Sequence, residues 1–256
     1  MTDAELLFNQ IFTRWINRES FIRSFRRTSL TAMKEATRTI EKENARFVDE
    51  VVTGPDFEKL FFDKAAFFEA MPPDKIIEFM TQMTVSQAQI AVDAASIVFA
   101  HSFVDGAVLD YCRVTALVAP RDWESVIDQR QITLSDVREA NYEQILKRKL
   151  DEFFAQLERE SLLRKMDHLF ARCKPPEKWS AMNGYVFDRE RLEKLDRYRQ
   201  EVIHGNGPVH TLADAEAEVD YLMRVTLFSQ GLVNLRYGLR LDPFYAVTGK
   251  QPPPVA

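Results

Sequence analysis

Cysteine, glycine and histidine are all scarce in this chain of 256 residues, and each shortage excludes a class of protein. Two cysteines, Cys112 and Cys173, are too few for a disulfide framework or a cysteine zinc site. Eight glycines fall well below the average usage of roughly 7%, which disfavours a turn-rich all-β fold. Four histidines leave little room for a histidine cluster, and no Cys pair or His/Glu pair has metal-ligand spacing. We therefore expect no metal and no cofactor.

Signals for export and for membrane insertion are also missing. Acidic residues stand at Asp3 and Glu5, where a secretory signal needs a basic segment. A bilayer span needs about 20 apolar residues. The most apolar stretch, 90–118, is interrupted by Asp93, His101, Asp105, Asp110 and Arg113. We therefore expect a cytoplasmic protein with reduced thiols and no membrane contact. The net charge of −5 excludes general coating of nucleic acid but leaves a local cleft open.

Apolar residues recur at helical spacing through most of the chain, and no segment alternates as a strand before a hairpin turn. The fold class predicted is all-α. We expect a helical bundle over 85–240, a smaller helical extension over 1–84, and an extended C-terminal tail over 241–256. The expected helices cover 4–17, 29–52, about 57–71, a helix that begins at Pro73, 86 to about 118, about 134–158, about 162–174, 189 to about 203, and 212–238.

Capping and breaking residues set the expected helix ends. Serine, threonine and aspartate favour N-caps, glycine favours the position after a helix, and proline cannot continue one. The N-terminal signals are Pro73 in a first turn, Ser86, the Thr133–Asp136 capping box, and Asp188. The C-terminal signals are Gly54-Pro55, Ala119-Pro120, and the run from Gly205 to Pro208.

One short segment, 197–207, carries the most specific chemistry. The familiar nucleotide-loop, zinc-protease and serine-hydrolase motifs are missing. Arg199 and His204 instead lie on the last turns of one predicted helix. Histidine exchanges protons near neutral pH, and arginine holds a phosphate through a forked pair of hydrogen bonds. These two groups suffice to cleave RNA without a metal, because the attacking 2′-OH belongs to the substrate.

A structural interpretation of the same residues stays open. A histidine near a helix C-terminus interacts favourably with the helix dipole, Gly205 would be an ordinary C-cap, and Arg199 would be solvated. Five residues of helix also separate the Cβ directions of Arg199 and His204 by about 140°. The two side chains converge if the last turn distorts, if Arg199 reaches around, or if a second copy completes the site.

Arg199-Gln200, three intervening residues and His204 at a helix end resemble the motif of HEPN domains. The apolar segment 100–111, with Asp105 inside it, is similar to the early HEPN helix, and the order of the later helices over 85–240 also fits. The resemblance implies an all-α, dimeric, metal-independent endoribonuclease of the prokaryotic toxin or abortive-infection type, acting in stress or anti-phage defence. Arg199 and His204 would then be catalytic, in a cleft between two protomers.

The match departs from the family at two positions, which keeps other functions open. Gln200 stands where the family usually has Asn, Asp or His, and Asn206 stands where one branch has a tyrosine. Gln200, Asn206 and Asp105 are supporting candidates, although a residue such as Asp105 is more often a partly buried carboxylate bonded to a neighbouring helix. The alternatives are a non-catalytic scaffold that binds nucleotide, RNA or a regulatory protein, and a purely structural helical module.

Two basic regions qualify the acidic total. Residues 11–46 hold nine basic and four acidic side chains, which indicates a solvated helical face or an arm that tracks RNA phosphates. Lys194 and Arg197, with Arg189 and Arg191 before them, form a basic approach to the proposed site. Other expectations are structural: His101 at the core or its edge, His168 exposed, both cysteines in the core, and Trp15, Trp123 and Trp179 as packing anchors.

Overall fold

A computed structural model describes residues 2–54, 68–127, 141–175, 187–205 and 214–242. Within these ranges the chain is helical and contains no strand, so the all-α prediction is confirmed. The α-helices are α1 (Asp3–Thr53), α2 (Pro73–Val118), α3 (Tyr142–Leu157), α4 (Leu162–Cys173), α5 (Arg189–Ile203) and α6 (Ala215–Tyr237). A 3-10 helix, Pro120–Val126, follows α2.

The first helix, α1, is a single element of 51 residues, so the prediction of separate helices over 4–17 and 29–52 is wrong. Residues 18–28 contain no glycine or proline, and nothing else in the local sequence stops the helix. A capping box starts α1: the Thr2 N–H donates to Glu5, and the Glu5 N–H donates to the Thr2 hydroxyl. The helix ends before Gly54, as predicted.

The second helix, α2, is also longer than the sequence suggested. It begins at Pro73 and ends at Val118, before Ala119-Pro120, and both ends agree with the predicted signals. Ser86 does not cap it, because the helix is continuous over 46 residues. The polar stretch before Ser86 therefore belongs to the same helix as the apolar stretch after it.

The shorter helices start at capping side chains. Asn141 and Gln144 form a complete capping box at the start of α3, so the start predicted near residue 134 is wrong. Ser161 and Asp214 cap α4 and α6. Asp188 caps α5, as predicted. The predictions for Thr133–Asp136, for Trp179 and for the tail beyond Asp242 concern residues outside the part of the chain that the structure describes.

Two compact units make up the structure. One contains residues 1–22 and 97–256, and the other contains 23–96. This division differs from the predicted extension over 1–84 and bundle over 85–240, because the first 22 residues belong with the later helices. The core of the first unit is built from large apolar side chains of several helices: Phe8, Ile11, Val108, Tyr111, Trp123, Met166, Leu169, Leu192 and Leu222.

The second unit is an antiparallel helical hairpin. Its two halves are joined by the Arg26–Asp93 ion pair at 3.0 Å and by a hydrogen bond of 3.1 Å from the Asn44 amide to the Thr81 hydroxyl. Most of its side chains are exposed or half-buried.

By length and composition alone, α2 contains a stretch that would suffice to cross a membrane. Half of that stretch is buried inside the protein. The core helix of a soluble protein passes the same test, so the stretch is weak evidence for a membrane span.

Candidate functional site

Helix α5 ends at the residues that the sequence singled out. The His204 N–H donates to the Gln200 carbonyl at 3.0 Å, and Gly205 follows with φ of +73°. Glycine adopts this left-handed conformation at little cost, so Gly205 ends the helix at the position after the C-cap residue His204, as the sequence predicted. The side chains of His204 and Gln200 are exposed. A substrate therefore has access to the imidazole.

Arg199 lies in a different environment from His204. Its side chain is half-buried, and its Nε is covered and has no hydrogen-bond partner. Asp196, one turn earlier on α5, carries a carboxylate whose pKa is lowered mainly by His101 and further by the charges of Arg199 and Lys165. One protomer thus presents His204 to solvent while Arg199 lies partly against the protein, as the 140° separation expected from about 100° per residue indicates.

One close side-chain contact and one ion pair link α2 to the helices around it. His101 is fully buried, and its Nε2 lies 3.2 Å from Oδ1 of Asp196 on α5. Asp105, one turn later, accepts two hydrogen bonds from the buried Lys165 ammonium of α4, at 2.7 and 2.8 Å. Lys165 also donates to the Glu158 carbonyl at 3.1 Å. The structure therefore places Asp105 in a helix-to-helix ion pair and His101 in the core, in agreement with the structural interpretation of both.

His101, Asp105, Lys165, Asp196 and Arg199 together form what we call the charged cluster. Sequence reasoning missed Lys165 and Asp196. A signal was present: Lys165 interrupts the apolar stripe of α4, and two polar side chains one turn apart on a buried helix need partners on facing helices. The cluster links α5 to α2 through Asp196 and His101, and it links α2 to α4 through Asp105 and Lys165.

The basic strip of α5 is partly neutralised within the chain. Arg189 pairs with Asp167 at 2.7 Å, and Arg191 pairs with Glu218 at 2.8 Å. Lys194 and Arg197, the two residues proposed to bind RNA, are exposed. Two exposed cations of the strip therefore stay unpaired by these contacts, Lys194 in the first half of α5 and Arg197 in the second half.

The basic segment 11–46 is neutralised in part as well. Arg14 lies 2.6 Å from Asp110, and Arg26 pairs with Asp93. These contacts support the interpretation of the segment as a helical face whose charges serve the fold. Asn206, the remaining supporting residue of the proposed site, lies outside the part of the chain that the structure describes.

His168 does not lie on an exposed face as predicted. It is half-buried, and its ring lies 5.2 Å from Phe153 and 6.2 Å from Trp123 between ring centroids. Burial lowers the pKa of His168, and the nearby Arg172 and Arg164 lower it further. Trp123 itself is fully buried, and its indole N–H donates to Thr115, so its role as a packing anchor is confirmed. Both cysteines are buried and free, as expected of core residues.

Among the described residues, no group of three or more histidine, cysteine, aspartate or glutamate side chains is arranged to hold a metal. No protein-family model matches the chain, and no curated protein or solved structure has significant similarity to it. The case for a function therefore rests on the chemistry at the end of α5.

Proposed function

We propose that this protein is a metal-independent endoribonuclease whose active site lies at the end of α5. The observation that supports the proposal best is the exposure of His204 on the last turn of α5, close in sequence to the exposed cations Lys194 and Arg197. This chemistry needs an accessible imidazole and cations that attract the phosphates of the substrate, and α5 carries both.

The reaction uses the ribose as its own nucleophile. His204 removes the proton from the 2′-OH, which attacks the adjacent phosphorus and expels the 5′-oxygen of the next nucleotide. That oxygen takes up a proton from the protonated His204 or from water. The guanidinium of Arg199 stabilises the charge that grows on the phosphate oxygens. The products are a 2′,3′-cyclic phosphate and a free 5′-OH. DNA is not cleaved, because it lacks the nucleophile.

The active form in this proposal is a homodimer with a composite site. Arg199 and His204 of one α5 point in different directions, so a second α5 end supplies the missing partner of each pair. Mixing Arg199→Ala protein with His204→Ala protein tests this arrangement. Heterodimers recover cleavage that neither variant has alone; failure to recover it, with heterodimers verified by mass, would refute the composite site.

The substrate test uses one RNA oligonucleotide and its all-deoxy counterpart, incubated with the protein in excess chelator. The proposal predicts cleavage of the RNA only, with 2′,3′-cyclic phosphate ends. A matched RNA with a single 2′-deoxy residue at each mapped cleavage position should resist cleavage at that position. Cleavage of the DNA, or loss of all cleavage in chelator, would contradict the mechanism.

A second candidate function is a non-catalytic scaffold that binds nucleotide, RNA or a protein partner. The burial of Arg199 favours it, because the side chain is half-buried and its Nε is covered by the protein. Gln200 at the position after Arg199 points the same way. This candidate predicts saturable RNA binding with no cleavage after prolonged incubation, and equal binding by wild type and His204→Ala.

A further inference from the structure

The hairpin of residues 23–54 and 68–96, which we call the arm, carries an apolar stripe whose side chains are exposed or half-buried. Thr81 and Val48 are buried where the two halves of the arm meet. Four apolar residues, Ile76, Phe79, Met83 and Ile90, lie on the face of α2 roughly opposite to Thr81, at about 100° per residue. Phe79 is 58% exposed and Met83 is 44% exposed.

The stripe has the spacing of a helix–helix seam. Ile76, Met83 and Ile90 are seven residues apart, and Phe79 occupies the intermediate position. No charged side chain occurs between residues 79 and 92, although this part of α2 is largely exposed or half-buried. Interface cores are poor in charge and rich in phenylalanine and methionine, whereas solvated helix faces are charged. This face of α2 is therefore built for contact with another helix.

The distribution of charge along the arm indicates that the contacting helix belongs to a second copy of the arm. At the end where α1 stops and α2 starts, residues 43–54 and 68–78 hold six acidic and two basic side chains, a net charge of −4. At the other end, residues 23–34 and 86–96 hold four basic and one acidic side chain, a net charge of +3. Two arms side by side in opposite directions would bring each acidic end next to a basic end.

We propose that the stripe is a homodimer interface in which the α2 helices of two copies pack antiparallel, centred on Met83. In this arrangement Ile76 of one protomer faces Ile90 of its partner, because Met83 lies midway between them. The uncharged middle of the stripe pairs with itself without repulsion, and the opposite charges at the two ends favour the antiparallel direction over the parallel one. An anionic lipid surface would instead require basic residues beside the stripe, where none occur between residues 79 and 92.

The first test measures mass in solution by light scattering and sedimentation, with the full chain. This interface alone is expected to give twice the monomer mass of 29.7 kDa, and a larger multiple if the α5 ends of the proposed active site also associate. Met83→Glu and Phe79→Glu bury a carboxylate in the seam and should each raise the dimer dissociation constant at least about tenfold. Thr84→Glu, the matched control on an exposed position beside the stripe, should remain dimeric. Circular dichroism verifies that all variants keep their helix content.

A monomeric wild type would overturn the proposal, and so would a dimer that both stripe variants retain. A wild type that is monomeric alone but binds vesicles or another protein through Met83 would overturn it as well, because the stripe would then serve a different partner.

The antiparallel direction of the two α2 helices is tested by cysteine cross-linking. Both native cysteines are buried, so they should not compete with the introduced ones. Mixing Ile76→Cys protein with Ile90→Cys protein should give the mixed disulfide dimer under mild oxidation, whereas Ile76→Cys alone should give almost none. A cross-link between two Ile76→Cys chains would show a parallel pair and contradict the antiparallel arrangement.

This interface does not depend on the proposed ribonuclease activity, and the two can fail separately. If Met83→Glu yields monomers that still cleave RNA, the composite site is refuted and the interface stands. If the dimer forms as described but no RNA is cleaved, the interface stands and the ribonuclease proposal fails.

Discussion

At the scale of single residues, Lys165 shows how a polar side chain can be required by a helical core. It is 1% exposed and donates three hydrogen bonds, two of them to Asp105. A buried ammonium without an anion would be far less stable than a neutral side chain, so the fold depends on the pair being complete.

Removing either Lys165 or Asp105 should therefore destabilise the folded protein. Lys165→Met leaves Asp105 without its cation and should lower the free energy of unfolding by about 3 kcal/mol in urea denaturation. The double variant Lys165→Met/Asp105→Leu should recover much of that loss, because neither charge remains. Lys75→Met, which breaks an exposed pair with Glu78, is the control and should change stability by less than about 1 kcal/mol. A Lys165→Met protein as stable as wild type would contradict the assigned role.

His168 makes stability depend on pH. Burial and two neighbouring arginines lower the pKa of His168 below its unfolded value of about 6.5, so the fold favours the neutral ring. The contribution of the neutral His168 ring to the free energy of unfolding is complete above the unfolded pKa. It is lost as the pH falls below that pKa, because the unfolded chain then binds the proton more readily than the folded chain. The free energy of unfolding of wild type should thus fall between pH 7 and pH 5. His168→Gln should reduce this fall, and an identical fall in both proteins would refute the account.

Residue environments were only partly predictable from the sequence. His101 and both cysteines lie in the core because their neighbours on the helix are apolar, which periodicity reveals. His168 was misplaced because charged neighbours in sequence suggested solvent, while the aromatic rings that cover it come from α3 and the 3-10 helix. Partners that are distant in sequence leave no local signal.

At the scale of helices, two glycines should respond in opposite ways to the same substitution. Gly205 ends α5 with φ of +73°, whereas Gly106 lies inside α2, where an added Cβ meets open space. Gly205→Ala should lower stability by about 1 kcal/mol, because alanine is strained at positive φ. Gly106→Ala should raise it by about 0.5–1 kcal/mol, because alanine favours the helix. Thermal unfolding of both variants measures the difference, and a shift of the same sign in both would contradict these assignments.

The sequence predicted helix ends correctly where a proline, a glycine or a capping side chain stops or starts the helix directly. Gly54, Pro73, Ala119-Pro120 and Asp188 all mark observed ends, because proline, glycine and capping aspartate act on their own backbone. Ser86 failed as a signal because a serine can equally lie inside a helix when no breaker stands beside it. The Asn141 capping box was overlooked in favour of a similar pattern eight residues earlier.

At the scale of the whole molecule, the sequence predicted the fold class but not the division into units. That division separates α1 near residue 22 and α2 near residue 96, inside two continuous helices. No change of composition marks either point, because the division depends on which distant segments pack together. The proposed composite site has the same limit, since the proposal draws its second half from another copy of the chain, which a single sequence does not describe.

The central claim is that the exposed imidazole at the end of α5 cleaves RNA. The most direct test compares cleavage of one RNA in excess chelator by wild type, His204→Ala and the neighbouring control Ile203→Ala, all with matched helix content. The account predicts cleavage by wild type and Ile203→Ala and a loss of at least about 100-fold in His204→Ala. Equal cleavage by wild type and His204→Ala would contradict the claim.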